Sequence, residues 1–233
     1  MTTDTTYMMD GGTSVARMLH RMGRWDDALA ALPADAVAQR AEIVVDRFWW
    51  RLAGGTEAEE AVSALLPSDP VLAGYLDAQV RYTRLLFDLG PLSDDLRRAR
   101  EGFTAATVDA RLAGWAVFWL GVLADNIDKD PDTAGSAYQR ALGQARERGD
   151  ALLESYVVRH LGAHLVEQDR EQGLAQLRWS YHLRASLGAR PQTAAAALTL
   201  AGRLEPGAEA DQLREAAGLT ARELDLTWLL RAL

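Results

Sequence analysis

Apolar residues recur three and four positions apart through most of the chain, the spacing that gathers side chains on one face of an α-helix. Alternation with period two, which would mark strands, holds nowhere for a useful length, and two-residue hairpin turns are missing. Gly11-Gly12, Gly54-Gly55, Pro67 to Pro70, Gly90-Pro91 and Pro131 break the helical pattern at short intervals. The pattern predicts short helices near 13–22, 25–32, 37–53, 57–66, 70–89, 93–107, 111–127, 131–148, 150–168, 171–187, 191–203, 208–217 and 220–232. Ser93 ahead of Asp94 and Asp95 suits a helix start, Pro131 and Pro191 suit a first turn, and Thr220 with Glu223 reads as a capping box. Residues 1–11 read as a loose tail, and residues 12–233 as one domain ending in capping helices.

The helices repeat. Ala99-x-x-x-Phe103-x-x-Ala106 returns as Ala134-x-x-x-Tyr138-x-x-Ala141 at an offset of 35. A further copy is expected at Ala175, Trp179 and His182, offset 41, in step with Leu120-Gly121 mapping onto Leu161-Gly162. Near the amino terminus Gly23 ends one helix, Trp25 opens the next, and Ala28 and Leu32 recur as Ala61 and Leu65 at an offset of 33. Small residues let helix axes approach to roughly 8–10 Å, and the large side chain one turn on fills the neighbouring groove.

These positions, over about Thr13 to Leu204, resemble the tetratricopeptide (TPR) family, whose repeat is a helix–turn–helix with a small residue, an aromatic and another alanine on its second helix. The spacings of 33, 38, 35 and 41 make it a degenerate likeness. The resemblance implies an all-α, right-handed superhelical stack of antiparallel helix pairs, an α-solenoid. It also implies a concave face, lined by the first helix of each pair, that holds a protein or peptide segment. With Gly121 as the small position of a first helix, the family pattern puts Trp115, Phe118, Asp125 and Asn126 on the groove side. Gly162 likewise brings Tyr156, Arg159, Ala163 and Glu167. Asp46, Trp50, Asp77, Arg84 and Asp88 extend the expectation to the preceding pairs. The competing reading is that Trp49, Trp50, Phe118 and Trp119 are core and that Arg84 and Asp88, four apart, pair with each other.

Composition narrows the function classes. Of 233 residues 48% are hydrophobic and 25% charged, enough apolar surface for a substantial core. With no cysteine there is no disulfide, thiolate metal site or thiol nucleophile. The opening MTTDTTYMMDGGTS lacks the basic and apolar regions of a secretory signal, and the run Gly114 to Ala124 is far short of the ~20 residues that span a bilayer. A cytoplasmic bacterial protein is therefore expected. A net charge of −8 argues against a nucleic-acid surface. Lys129 is the only lysine, so the lysine and asparagine clamp of chaperone-tail adaptors is disfavoured, with only Lys129 and Asn126 on offer.

Catalytic signatures are sparse. His160 and His164 sit one helical turn apart, but Leu161 stands where a zinc protease needs glutamate, and Glu167 is the nearest further ligand. DNIDKDPD, with Asp125, Asp128, Asp130 and Asp132, lacks the central glycine and final glutamate of a helix-loop-helix calcium site. No phosphate-binding glycine loop or nucleophile elbow is present, so no cofactor or metal is expected. Gly218 to Leu230 resembles the opening of the DNA-binding domain of LuxR-type regulators, yet the chain stops at Leu233 before a reading helix, so a terminal capping helix is expected. The residues thus point to a non-catalytic binding scaffold. The alternatives are a sensor that takes a small molecule or signalling peptide in a closed pocket, and an enzyme built on His160, His164, Arg159 and Glu167.

Overall fold

The computed structural model describes residues 11–233, and all regular structure among them is helical. In chain order the helices are α1 (Gly11–Arg21), α2 (Trp25–Ala30), α3 (Val37–Arg51), α4 (Gly55–Leu65), α5 (Pro70–Phe87), α6 (Asp95–Ala106) and α7 (Ala113–Leu123). They continue as α8 (Pro131–Arg148), α9 (Ala151–Leu165), α10 (Arg170–Ser186), α11 (Arg190–Ala201), α12 (Ala208–Leu224) and α13 (Thr227–Leu230), with a π-helical turn, Ala124–Asp128, prolonging α7. The expected tail, 1–11, lies outside the described residues except for Gly11, where α1 begins. Among the described residues no helix is long and apolar enough to cross a membrane.

Aspartates set many of the starts. Asp69, Asp130, Asp150 and Asp169 each precede a helix and accept the backbone N–H three residues on, from Leu72, Thr133, Leu153 and Gln172 at 2.9–3.1 Å. Pro70 and Pro131 follow two of these caps, where a missing N–H costs nothing. Two starts depart from expectation. The Ser93 start gives way to Asp95, which turns its carboxylate inward. The capping box at Thr220 does not form: Thr220 lies inside α12, because Ala217, Gly218, Ala221 and Leu224 keep one face buried without a break, and Glu223 binds Arg190 instead.

Neighbouring helices pack as pairs, α1 with α2 through α11 with α12. The repeat positions Ala99, Phe103, Ala106, Ala134, Tyr138 and Ala141 are all fully buried. A Cβ on Gly121 would meet the Tyr138 ring at 2.9 Å, so that close approach depends on glycine. The third copy is corrected by two residues. Ala175 is exposed and Trp179 is 49% exposed, whereas Gly173, Leu177 and Ser180 face inward, an offset of 39 from the copy before. The π-helical turn lengthens the α7-to-α8 connection, so first helices repeat at 41 while second helices repeat at 39. On α4 the buried trio is Ala58, Val62 and Leu65, and Ala61 is only half-buried.

Gly173 gives the first test. A Cβ there would stand 2.6 Å from the Val166 backbone nitrogen. Alanine would gain about 1 kcal/mol of helix propensity, but the overlap is with main chain, which cannot swing aside. Gly173→Ala is expected to destabilise by about 1–3 kcal/mol, read as a lower urea midpoint; a gain in stability would refute the close approach.

The last helices return to the first. Trp25, Ala28, Ile43 and Trp50 share one hydrophobic core with Ala194, Ala197, Ala217, Leu224 and Leu229. Trp228 stacks on Trp50 at 5.5 Å and neighbours Trp49 and Phe87, and Arg51 donates to the Leu224 carbonyl. A second, larger core runs through α3 to α9, with Trp49 against Tyr82, Phe87 and Trp119.

Candidate functional site

The first helices of the pairs, α1, α3, α5, α7, α9 and α11, surround a cavity of ≈ 510 Å³. Most contribute residues four apart, one helical turn: Arg17 and Arg21, Glu42 and Asp46, Tyr75 and Gln79, Trp115 and Trp119, Leu152 and Tyr156. Gln192 enters from α11, and Arg111 and Leu112 from the loop before α7. A smaller cleft of ≈ 240 Å³ between α10, α11 and α12 is lined by alanines together with Tyr181, Thr193, Thr220 and Arg190, the last held by Glu223.

Several of these side chains are held by one another. Asp46 accepts from Trp25 Nε1 at 2.9 Å, Trp50 Nε1 at 3.1 Å and the His20 ring at 3.0 Å, tying α1, α2 and α3 behind the wall. Burial alone would lower the His20 pKa, but the Asp46 hydrogen bond and charge, with Glu42 nearby, turn it upward. Arg111 is neutralised by Asp69 at 2.6 Å and Asp109 at 2.8 Å. The Trp115 indole donates to Asp150 at 2.9 Å, which fixes its plane, and its ring meets Tyr156 edge-on at 5.2 Å. The buried Arg184, which does not line the cavity, lies 4.3 Å from the Tyr156 ring centroid and covers one side of it.

Other groups are left open. Glu42, exposed to the cavity, makes no hydrogen bond or ion pair among the described residues, and partial desolvation by the concave wall raises its pKa in spite of the charges of His20, Arg17 and Arg111. Gln192 Oε1, on a residue 7% exposed, has no hydrogen-bond partner among the described residues, while Trp119 Nε1 lies beside the Tyr75 hydroxyl without a well-formed hydrogen bond. An unpaired buried polar atom costs about 1–3 kcal/mol, so the Gln192 acceptor, with the open Glu42 carboxylate across the cavity, suits a ligand that supplies a partner to each.

No family model, curated protein or solved structure matches this chain.

A second polar group lies further along α9. Asp125, in the π-helical turn, accepts from Tyr138 Oη and His164 Nε2, each at 3.0 Å. Arg159, which can only donate, reaches His160 Nε2 at 3.0 Å, so the His160 proton sits on Nδ1, 3.0 Å from Tyr138 Oη and 3.5 Å from Asp125. Burial and then the charge of Arg159 push the His160 pKa down to about 3, overcoming Asp125. Burial opposes the Asp125 charge, but His160, His164 and Tyr138 bring that pKa down to about 2.

The sign follows from proton uptake. Unfolded histidine protonates below its ordinary 6.5 and folded His160 only near 3, so stability falls as pH drops through that window, by up to about 1.4 kcal/mol per pH unit. Urea melts at pH 4 and 6 should show the slope, and His160→Gln should reduce it. Equal slopes in both proteins would show that His160 is not held neutral.

Of the groove residues expected from sequence, Asp46, Trp115 and Tyr156 line the cavity. Asp125 and Arg159 join the second polar group, and Asn126 donates to Tyr82 Oη at 2.7 Å beside it. Phe118 is core, as are Trp50 and Trp119, although Trp119 also forms cavity wall. Arg84 does not pair with Asp88; it binds Glu59 and Asp95, and Asp77 binds Arg81 and Arg98, so both face the second helices. Glu167 pairs with Arg203 and stays apart from the histidines. In the aspartate-rich run Asp128 is taken by Arg100 and Asp130 by the α8 cap. His20, Glu42, Tyr75, Gln79 and Gln192 were missed. Their signal was polar or amphipathic residues on the otherwise apolar inner stripe of first helices, visible only once every first helix is in register.

Proposed function

We propose that this chain is a non-catalytic, TPR-like module whose first helices enclose one binding site for a small molecule or the end of a short peptide, so that it acts as a sensor or regulatory unit. The observation that carries this reading is the cavity itself, with Glu42 and Gln192 Oε1 left unpaired among the described residues on walls contributed by the second and the last pairs. Against an extended protein segment stands the packing of Trp49, Phe87, Trp119 and Trp228, which fills the inner side where such a segment would run. A ligand touching α1, α5 and α11 at once would stiffen the whole array, which is how occupancy could be relayed to an effector.

The test is thermal denaturation of the intact chain across a library of small metabolites and short peptides. A ligand at a hundredfold excess over its dissociation constant adds about 2.7 kcal/mol, or some 5–10 °C for a chain of this size. Trp115→Ala, which opens the wall, should abolish the shift. Failure of every small ligand, together with a saturable shift from a peptide of about fifteen residues that survives Trp115→Ala, would return the reading to an open groove.

A further inference from the structure

We propose that the cavity takes a small organic cation, an ammonium or guanidinium group carried on an apolar body. This inference rests on the reading above. Glu42 is the wall's uncommitted carboxylate: it lines the cavity and makes no hydrogen bond or ion pair among the described residues. Glu42 is exposed to the cavity mouth, and the surrounding concave wall raises its pKa, an effect that a positive charge beside it offsets. Around it stand Tyr75, Trp115 and Trp119, rings whose negative faces attract cations. The Trp115 plane is already fixed by Asp150, so little order has to be created on binding. Gln192 Oε1 offers a second free acceptor to the N–H groups of such a ligand.

The positive charges nearby are already occupied or peripheral. Arg111 is held by Asp69 and Asp109, and His20 by Asp46. Arg17 has partners of its own, and Arg21, exposed at the mouth, is not among the main charges that act on Glu42. Arg184 covers one side of Tyr156, so Tyr156 is a steric wall rather than a cation-binding ring. The volume of ≈ 510 Å³ falls within the range of sites that bury a whole small molecule.

The experiment is calorimetric titration of the intact chain with three cations, phenethylamine, tetraethylammonium and agmatine, beside neutral 2-phenylethanol and anionic 3-phenylpropionate. At least one cation is expected to bind at one site per chain, and phenethylamine to bind roughly tenfold more tightly than its neutral and anionic counterparts. Glu42→Gln is expected to weaken the cation roughly tenfold and 2-phenylethanol much less, with the melting temperature of the free protein unchanged. 3-Phenylpropionate binding as tightly as phenethylamine, or a cation affinity unaffected by Glu42→Gln, would overturn the charge assignment and leave the cavity as a binding site. Absence of binding by all three cations would overturn the cation assignment, and the reading of the cavity as a binding site would then fall only if the wider thermal screen also fails.

Discussion

Asp95→Ala is expected to destabilise the protein by about 3–5 kcal/mol. Asp95 is 0% exposed and accepts from Arg81 at 2.7 Å, from Arg84 at 2.8 and 3.1 Å, and from the Leu92 backbone N–H at 2.9 Å. Burial would raise its pKa, but Arg84, Leu92 and Arg81 together hold it below the usual carboxylate range. Deleting it leaves two guanidinium groups partly buried with a remaining carboxylate each, Asp77 for Arg81 and Glu59 for Arg84. Broken buried pairs cost more than intact ones contribute, because the charge left behind stays desolvated. Urea denaturation measures the loss. Asp95→Asn, which keeps one acceptor, should fall between wild type and alanine, and a loss below about 1 kcal/mol in the alanine variant would mean that the arginines find water instead.

Trp50→Ala should be comparably severe, about 3–5 kcal/mol, but with a different signature. Trp50 is fully buried, stacks on Trp228 and donates to Asp46, so its removal empties the core shared by the first and last helices. Hydrogen exchange should accelerate in α11 to α13 as well as in α3, and ligand affinity should fall because Asp46, His20 and Gln192 belong to the same walls. Acceleration confined to α3 would show that the two ends are coupled weakly.

Much of the helix layout was legible because it is written locally. Asp69, Asp130, Asp150 and Asp169 announce their helices within four residues, and Ala99 to Ala141 announce the repeat within two helices. Errors began where a count had to be carried through a connection. The π-helical turn at Ala124–Asp128 shifts α10 by two residues, enough to exchange Trp179 for Leu177 on the buried face. Thr220 misled for the opposite reason: a good capping sequence was overridden by the buried stripe of α12. The cavity was half legible. Trp115 and Tyr156 followed from the glycines of their own helices, but Glu42 and Gln192 come together only because distant pairs converge, and no short-range pattern encodes that. Phe118 shows the limit of facing arguments, since an inward position on a first helix can end in core as readily as in a cavity.

The contact between Trp50 and Trp228 has a consequence for how such a chain can change over time. Open repeat arrays lengthen or shorten by whole units, since each unit needs only its neighbours. Here one more pair would separate α3 from α13, and one fewer would make them collide. The number of pairs is therefore fixed by closure, and variation is confined to what each pair presents to the interior.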